Sequence, residues 1–204
     1  MVEFALILPL LLVFLLGVVD FGRIFTAGIT MEAAARNAAE AAAQEYQQII
    51  RNTPTPGPAD YERIHDVALD ELCREANVLP NRTAVVVIVN GQPIDQCTMP
   101  VAAVCVHDQS GGDSSLCGTT AWRGQAGVAV PAECGSIDGW VASTANEMPV
   151  NGTPPQIPVP YIEVRTCYHF TTLFNLHLQL PLGWSLNLGD IWIQRDRTFV
   201  VGDY

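Results

Sequence analysis

Between Glu3 and Asp20 the chain has no charged residue, and the sixteen positions from Phe4 to Val19 are apolar apart from Pro9 and Gly17. No basic segment precedes this run and no small-x-small cleavage site follows it, which argues against a removable secretory signal and for a retained anchor or assembly helix. Cations are scarce throughout: 10 Lys and Arg stand against 21 Asp and Glu, for a formal net charge of −11 and a pI near 4.6. Nucleic acid is therefore not an expected partner, because affinity for a phosphate backbone comes from clustered Lys and Arg; acidity suits a solvated exterior instead. C-x-x-C zinc spacing, H-E-x-x-H, G-x-S-x-G, the P-loop and the dinucleotide fingerprint are all missing. His65, His107, His169 and His177 are scattered. With no nucleophile set beside a base, neither an enzyme nor a bound cofactor is expected.

The apolar run is slightly short for a membrane span. Sixteen helical residues reach roughly 24 Å against a hydrocarbon core of about 30 Å, so neighbouring residues must contribute or the bilayer must thin. Beyond Arg23 the helical pattern continues through the Ala-rich stretch Met31–Glu45 to about Arg51. The result is one rod on the order of 75 Å, apolar on all sides at first and alanine-coated later. Alanines between Ala33 and Ala43 suit close approach, either of the chain's own sheet or of neighbouring rods. Pro9 removes one backbone hydrogen bond and predicts a kink or loosened turn.

Three prolines and a glycine in residues 52–58 stop the rod. A second helix is expected from Pro58, with Tyr61, Ile64, Ala68 and Leu72 at helical spacing, closing at Asn77 to Pro80. After Pro80 the period becomes extended. Thr83–Val89 is a β-branched run ended by the turn pair Asn90 and Gly91. Residues 161–170 alternate, with Ile162, Val164, Thr166, Tyr168 and Phe170 on one face of a half-buried antiparallel strand. Asp190–Val200 is a further strand, with Trp192 and Phe199 as packing residues.

The expected fold is α+β: a hydrophobic helix over 1–51, a Pro-rich break over 52–58, and an extracytoplasmic head over 59–204 built from a second helix and a small antiparallel sheet. Residues 91–160, rich in Gly, Pro, Ser and Asp, read as a stapled surface insertion rather than a core element. Cys73, Cys97, Cys105, Cys117, Cys134 and Cys167 all follow the apolar run, and an even number fits disulfides in an oxidising compartment; six cysteines allow 15 pairings. Asp108 and Asp113 are the only cation candidates, for calcium. Their spacing fails the EF-hand template, and a solvated loop is the expectation. Asn81 and Asn151 head N-x-Thr acceptor patterns for glycosylation, a short motif that often matches by chance.

The residues Val2, Glu3 and Phe4 through Pro9, the Leu-rich run, then Gly17 through Arg23, with an aromatic-bearing strand at Ile162–Tyr168, together resemble the TadE-like pseudopilins of tight-adherence pili, relatives of type IV pilins. The match is specific over roughly the first 25 residues. The resemblance implies cleavage by a prepilin-type peptidase ahead of the helix, and a glutamate at the fifth mature position. Glu3 takes that place if the mature chain starts two residues before Met1. Glu3 would then pair with the N-terminal amine of the next subunit and set axial register, and Pro9 would let the helix loosen on leaving the membrane. Asp20 and Arg23, three apart, would pair at the membrane boundary or bridge subunits. The partners implied are copies of the chain itself, the inner membrane before assembly and the pilus machinery, with an extracellular filament as the final location. The alternative is a membrane-tethered binding module, or a minor assembly factor, whose insertion, carrying Trp122 and Trp140, contacts a surface, glycan or ion.

Overall fold

The computed structural model describes residues 2–79, 83–89, 92–99, 101–108, 112–113, 159–172, 177–180, 184–187 and 190–201; at 2–6, 9, 10, 13, 83–89, 92–99, 101, 177–180, 184–187 and 190 it describes backbone alone. Helix α1 runs unbroken from Val2 to Asn52, continuing through Pro9, and α2 spans Pro58–Ala76. Among the described residues seven strands follow: β1 (Thr83–Val89), β2 (Gln92–Met99), β3 (Val101–His107), β4 (Tyr161–Thr171), β5 (His177–Leu180), β6 (Trp184–Asn187) and β7 (Asp190–Val200).

The principal sheet is antiparallel, in the order β3-β4-β7. Val104 faces Val164, and Ile162 faces Phe199, in its two ladders. Strands β1 and β2 form a separate pair, as do β5 and β6. The alternation read in 161–170 is real: Ile162, Val164, Thr166, Tyr168 and Phe170 are all buried. Phe199 packs against the core from a half-buried position, and Trp192 stacks on His169 across the β4–β7 ladder with ring centroids 4.5 Å apart.

Helix α1 has two regimes. From Ile7 to Val19 the described large side chains are exposed apart from the half-buried Leu16, while from Ala27 onward one face is buried. Ala34, Ala38, Ala39, Ala42 and Ala43 join Tyr61, Ile64, Leu72, Val104 and Val164 in one core. Of the two roles expected for these alanines, the structure thus shows packing on the chain's own head. Without side chains beyond Cβ they let α2 and the sheet come close, a use of small residues common to tight helix interfaces. Polar links reinforce the joint: Arg63 reaches Glu45 at 2.7 Å, and Asn37 donates to Glu75 at 3.2 Å. A second cluster of Ala27, Met31, Ala76, Leu79, Tyr168, Phe170 and Ile193 closes the head nearer the apolar end of α1.

The turn into α2 follows its sequence. Gly57 caps it, Pro58 opens it, and the Asp60 carboxyl accepts the Gly57 N–H at 2.8 Å, satisfying a donor that the first helical turn leaves free.

One expectation is overturned. Residues 91–160 are not uniformly a surface insertion, because Val101–His107 is a strand of the principal sheet and Ala102 through Val106 are buried without exception. Covered on both faces, the strand shows no apolar-polar alternation, and its short apolar run is hard to tell from a loop by period alone. Gln92–Met99 is likewise a strand, paired to β1.

Candidate functional site

The exposed half of α1 and its junction with the head form the candidate site. Asp20 is buried on the head-facing side of α1, and Arg23 Nη1 donates to its Oδ1 at 3.1 Å. The Arg23 guanidinium in turn lies over the Phe170 ring, 5.2 Å from its centroid, close enough for a cation–π attraction. The two charges expected at the membrane boundary therefore do pair, with Asp20 buried and the Arg23 side chain, against Phe170, 33% exposed. Further along α1, Glu32 meets Arg197 at 2.5 Å and Arg195 at 4.0 Å, tying the helix to β7.

Between these ionic contacts runs an apolar stripe that sequence reading passed over: Phe21, Phe25 and Ile29 are exposed at successive i, i+4 positions. The i+4 repeat was visible in the sequence, but which face the head would cover was not. With Trp192 and Ile24 these side chains line a groove of about 320 Å³ between α1 and β7.

The acidic residues at the end of β3 depart from expectation. Asp108 and Asp113 are 2% and 0% exposed, so neither belongs to a solvated loop. Asp108 Oδ2 accepts the hydroxyls of Tyr46 at 3.1 Å and Tyr61 at 2.5 Å. Asp113 Oδ2 accepts the Val106 N–H at 2.6 Å and lies 2.9 Å from His65 Nε2. These groups join α1, α2 and the end of β3 inside the core. Among the described residues no cluster of three or more His, Cys, Asp or Glu is arranged for a metal ion.

Gly112 is required here by close approach. A Cβ at that position would stand 2.5 Å from Tyr61 Cε2. Gly112→Ala is expected to displace Tyr61 from Asp108 and cost about 1–3 kcal/mol, the usual range for overpacking, read as a lower denaturation midpoint at unchanged slope.

Burial, and then the neighbouring Asp108 charge, hold the Tyr46 phenol well above its ordinary value. The folded state therefore keeps this proton where the unfolded chain, titrating near 10, releases it. Stability from this group is complete below about pH 10 and is lost as pH rises beyond it. Chemical denaturation at pH 8 to 11 should show the decline, and Tyr46→Phe should make it shallower.

The remaining sequence candidates distribute as follows. Glu3 and Pro9 lie within α1, but their side chains are outside the described residues. Cys73 on α2, Cys105 on β3 and Cys167 on β4 are disulfide-bonded. Cys97 lies in β2 and His177 in β5, described by backbone alone. Cys117, Cys134, Asn81, Asn151, Trp122, Trp140 and the Asn90–Gly91 turn are outside the described residues. On β4, Glu163 accepts from Arg165 Nε at 2.9 Å and stands 3.3 Å from His107, which stacks on Tyr161. None of this joins the α1 site.

No curated protein and no solved structure matches the chain. Helix α1 is long and apolar enough to cross a membrane. Residues 1–40, which hold the exposed half of that helix and its entry into the head, match the model of the TadE-like protein family, so the N-terminal helix carries the signature of that pilus-related family.

Proposed function

We propose that this protein is a structural, pilin-like subunit, anchored in the inner membrane by α1 and then assembled with copies of itself into an extracellular filament through the same helix. The reading rests on one observation. A helix matching the TadE-like model leaves Ile7, Leu8, Leu11, Leu12, Phe14, Leu15, Val18 and Val19 of its first half exposed, while its second half is built into a folded head. A bare apolar half-helix is soluble only in lipid or against other apolar helices, and each of these is a stage of the proposed cycle.

In this cycle a prepilin-type peptidase frees the N-terminus, and Glu3 meets the terminal amine of the next subunit. A carboxylate at the centre of a bilayer costs about 3 kcal/mol on insertion scales, which favours its pairing with such an amine. Disulfides staple part of 91–160 to the sheet and keep the head rigid outside the cell. No catalytic step belongs to the proposal.

Electron microscopy of sheared surface material, with N-terminal sequencing and intact mass, tests it. Thin filaments composed of this chain are expected, with a mass six hydrogens short for three disulfides. Glu3→Leu should abolish filaments while the protein stays in the membrane fraction. A protein found solely as a membrane-bound monomer in wild-type cells would refute the filament stage and favour the tethered binding module.

A further inference from the structure

The lipid-facing surface of a span normally stops at its first charges, which here would be Asp20 and Arg23. Those charges lie on the head-facing side, joined at 3.1 Å, with Asp20 buried and Arg23, half-buried, over the Phe170 ring. On the opposite side the apolar surface does not stop. Phe14, Val18, Phe21, Phe25 and Ile29 follow one another at spacings of three and four, within an arc of roughly 80° at 100° per residue. Phe21, Phe25 and Ile29 are 71%, 63% and 55% exposed.

From these observations we propose that, before assembly, the head is partly sunk into the membrane: acyl chains cover the Phe21, Phe25 and Ile29 face of α1 and enter the groove it forms with Trp192. The inference rests on the membrane-anchored stage proposed above, and not on the filament stage.

Three features select lipid as the occupant. First, length: Phe4 to Val19 falls short of a hydrocarbon core, whereas Phe4 to Phe25 spans about 33 Å against about 30 Å required. Second, continuity: the face prolongs the bare segment without a charge on its own side until Glu32. Third, the groove changes character along its length. Its apolar end holds Phe21, Phe25 and Trp192, and its polar end holds Glu32 and Arg195, with Arg197 bound to the same Glu32. Two guanidiniums sharing one carboxylate leave a cationic excess about one to two turns beyond Phe25, at the depth of lipid phosphates. An indole beside them is the side chain suited to that interface.

The test places a benzophenone-bearing residue singly at Phe14, Phe21, Phe25 and Gln44 of the full chain. Each variant is reconstituted in phosphatidylcholine–phosphatidylglycerol vesicles, irradiated, and examined by intact mass. All four positions are exposed, so the probe does not disturb the core. Phospholipid adducts are expected at Phe14, Phe21 and Phe25 and are expected to be lost at Gln44. Adducts at Phe14 with none at Phe21 and Phe25 overturn the proposal while leaving the anchor intact. Crosslinked dimers at Phe25 in place of lipid adducts also overturn it and give the face to a second copy. Failure at Phe14 as well removes the anchored stage itself, and the inference with it.

Discussion

Asp108→Ala should cost the head about 3–5 kcal/mol, a large part of the stability of an ordinary domain. One carboxyl oxygen accepts two buried phenols, Tyr46 from α1 and Tyr61 from α2. Removing it strands both hydroxyls away from water, and hydrogen bonds to a charged acceptor are worth about 1.5–3 kcal/mol each. The substitution also detaches the end of β3 from both helices together, so relaxation in one element cannot restore the other contact. Urea denaturation of the full chain in detergent, followed by circular dichroism, measures the loss. Asp108→Asn retains an acceptor oxygen and should recover more than half. A loss below about 1 kcal/mol for the alanine variant would mean that water replaces the carboxyl, and the network would then not be what holds the helices to β3.

Phe170→Ala is expected to reach a similar size, about 3–5 kcal/mol, because a large aromatic is removed from a closed cluster. Phe170 is 1% exposed and packs with Tyr168, Met31 and Ile193, its ring 6.5 Å from that of Tyr168 in an edge-on contact. It also roofs Arg23. The substitution should therefore have a second effect that ordinary cavity formation does not have: the Asp20–Arg23 pair, whose arginine is 33% exposed, gains further access to water and its contribution becomes more salt-sensitive. Phe170→Leu separates the two effects, since it keeps much of the apolar volume and loses the ring face. If Phe170→Leu and Phe170→Ala show the same dependence on salt as the wild type, the cation–π contact contributes nothing measurable.

The disagreement over residues 91–160 has a definite cause. Gly, Pro, Ser and Asp dominate that stretch and set its average character, and Val101–His107 is a short apolar island inside it. A strand covered on both faces carries no period-2 signal, and composition then outweighs it. The same cause hid Asp108 and Asp113. Acidic residues next to Ser and Gly read as solvated loop, whereas Asp108 is buried against the phenols of Tyr46 and Tyr61, 62 and 47 positions away, and Asp113 against His65, 48 positions away, and the Val106 N–H. Such partners are distant in sequence and leave no local trace.

Sequence by itself determined the elements whose causes are local. The absence of charge from Phe4 to Val19, the alanine-rich continuation, the proline break, the start of α2 at Pro58 and the alternation of β4 each reflect an intrinsic preference or a short-range periodicity, and each appears in the structure where it was read. The TadE-like signature belongs to the same class, because it resides in a contiguous stretch. What tertiary structure alone decided is which surfaces meet. It buried Asp20 and laid Arg23 against Phe170, placed β3 in the core, closed Asp108 over two tyrosines, and left Phe21, Phe25 and Ile29 bare. A helix carries its periodicity in its own residues, but the face that becomes covered depends on where α2 and the sheet come to rest, and that outcome is settled only by packing between elements far apart in the chain.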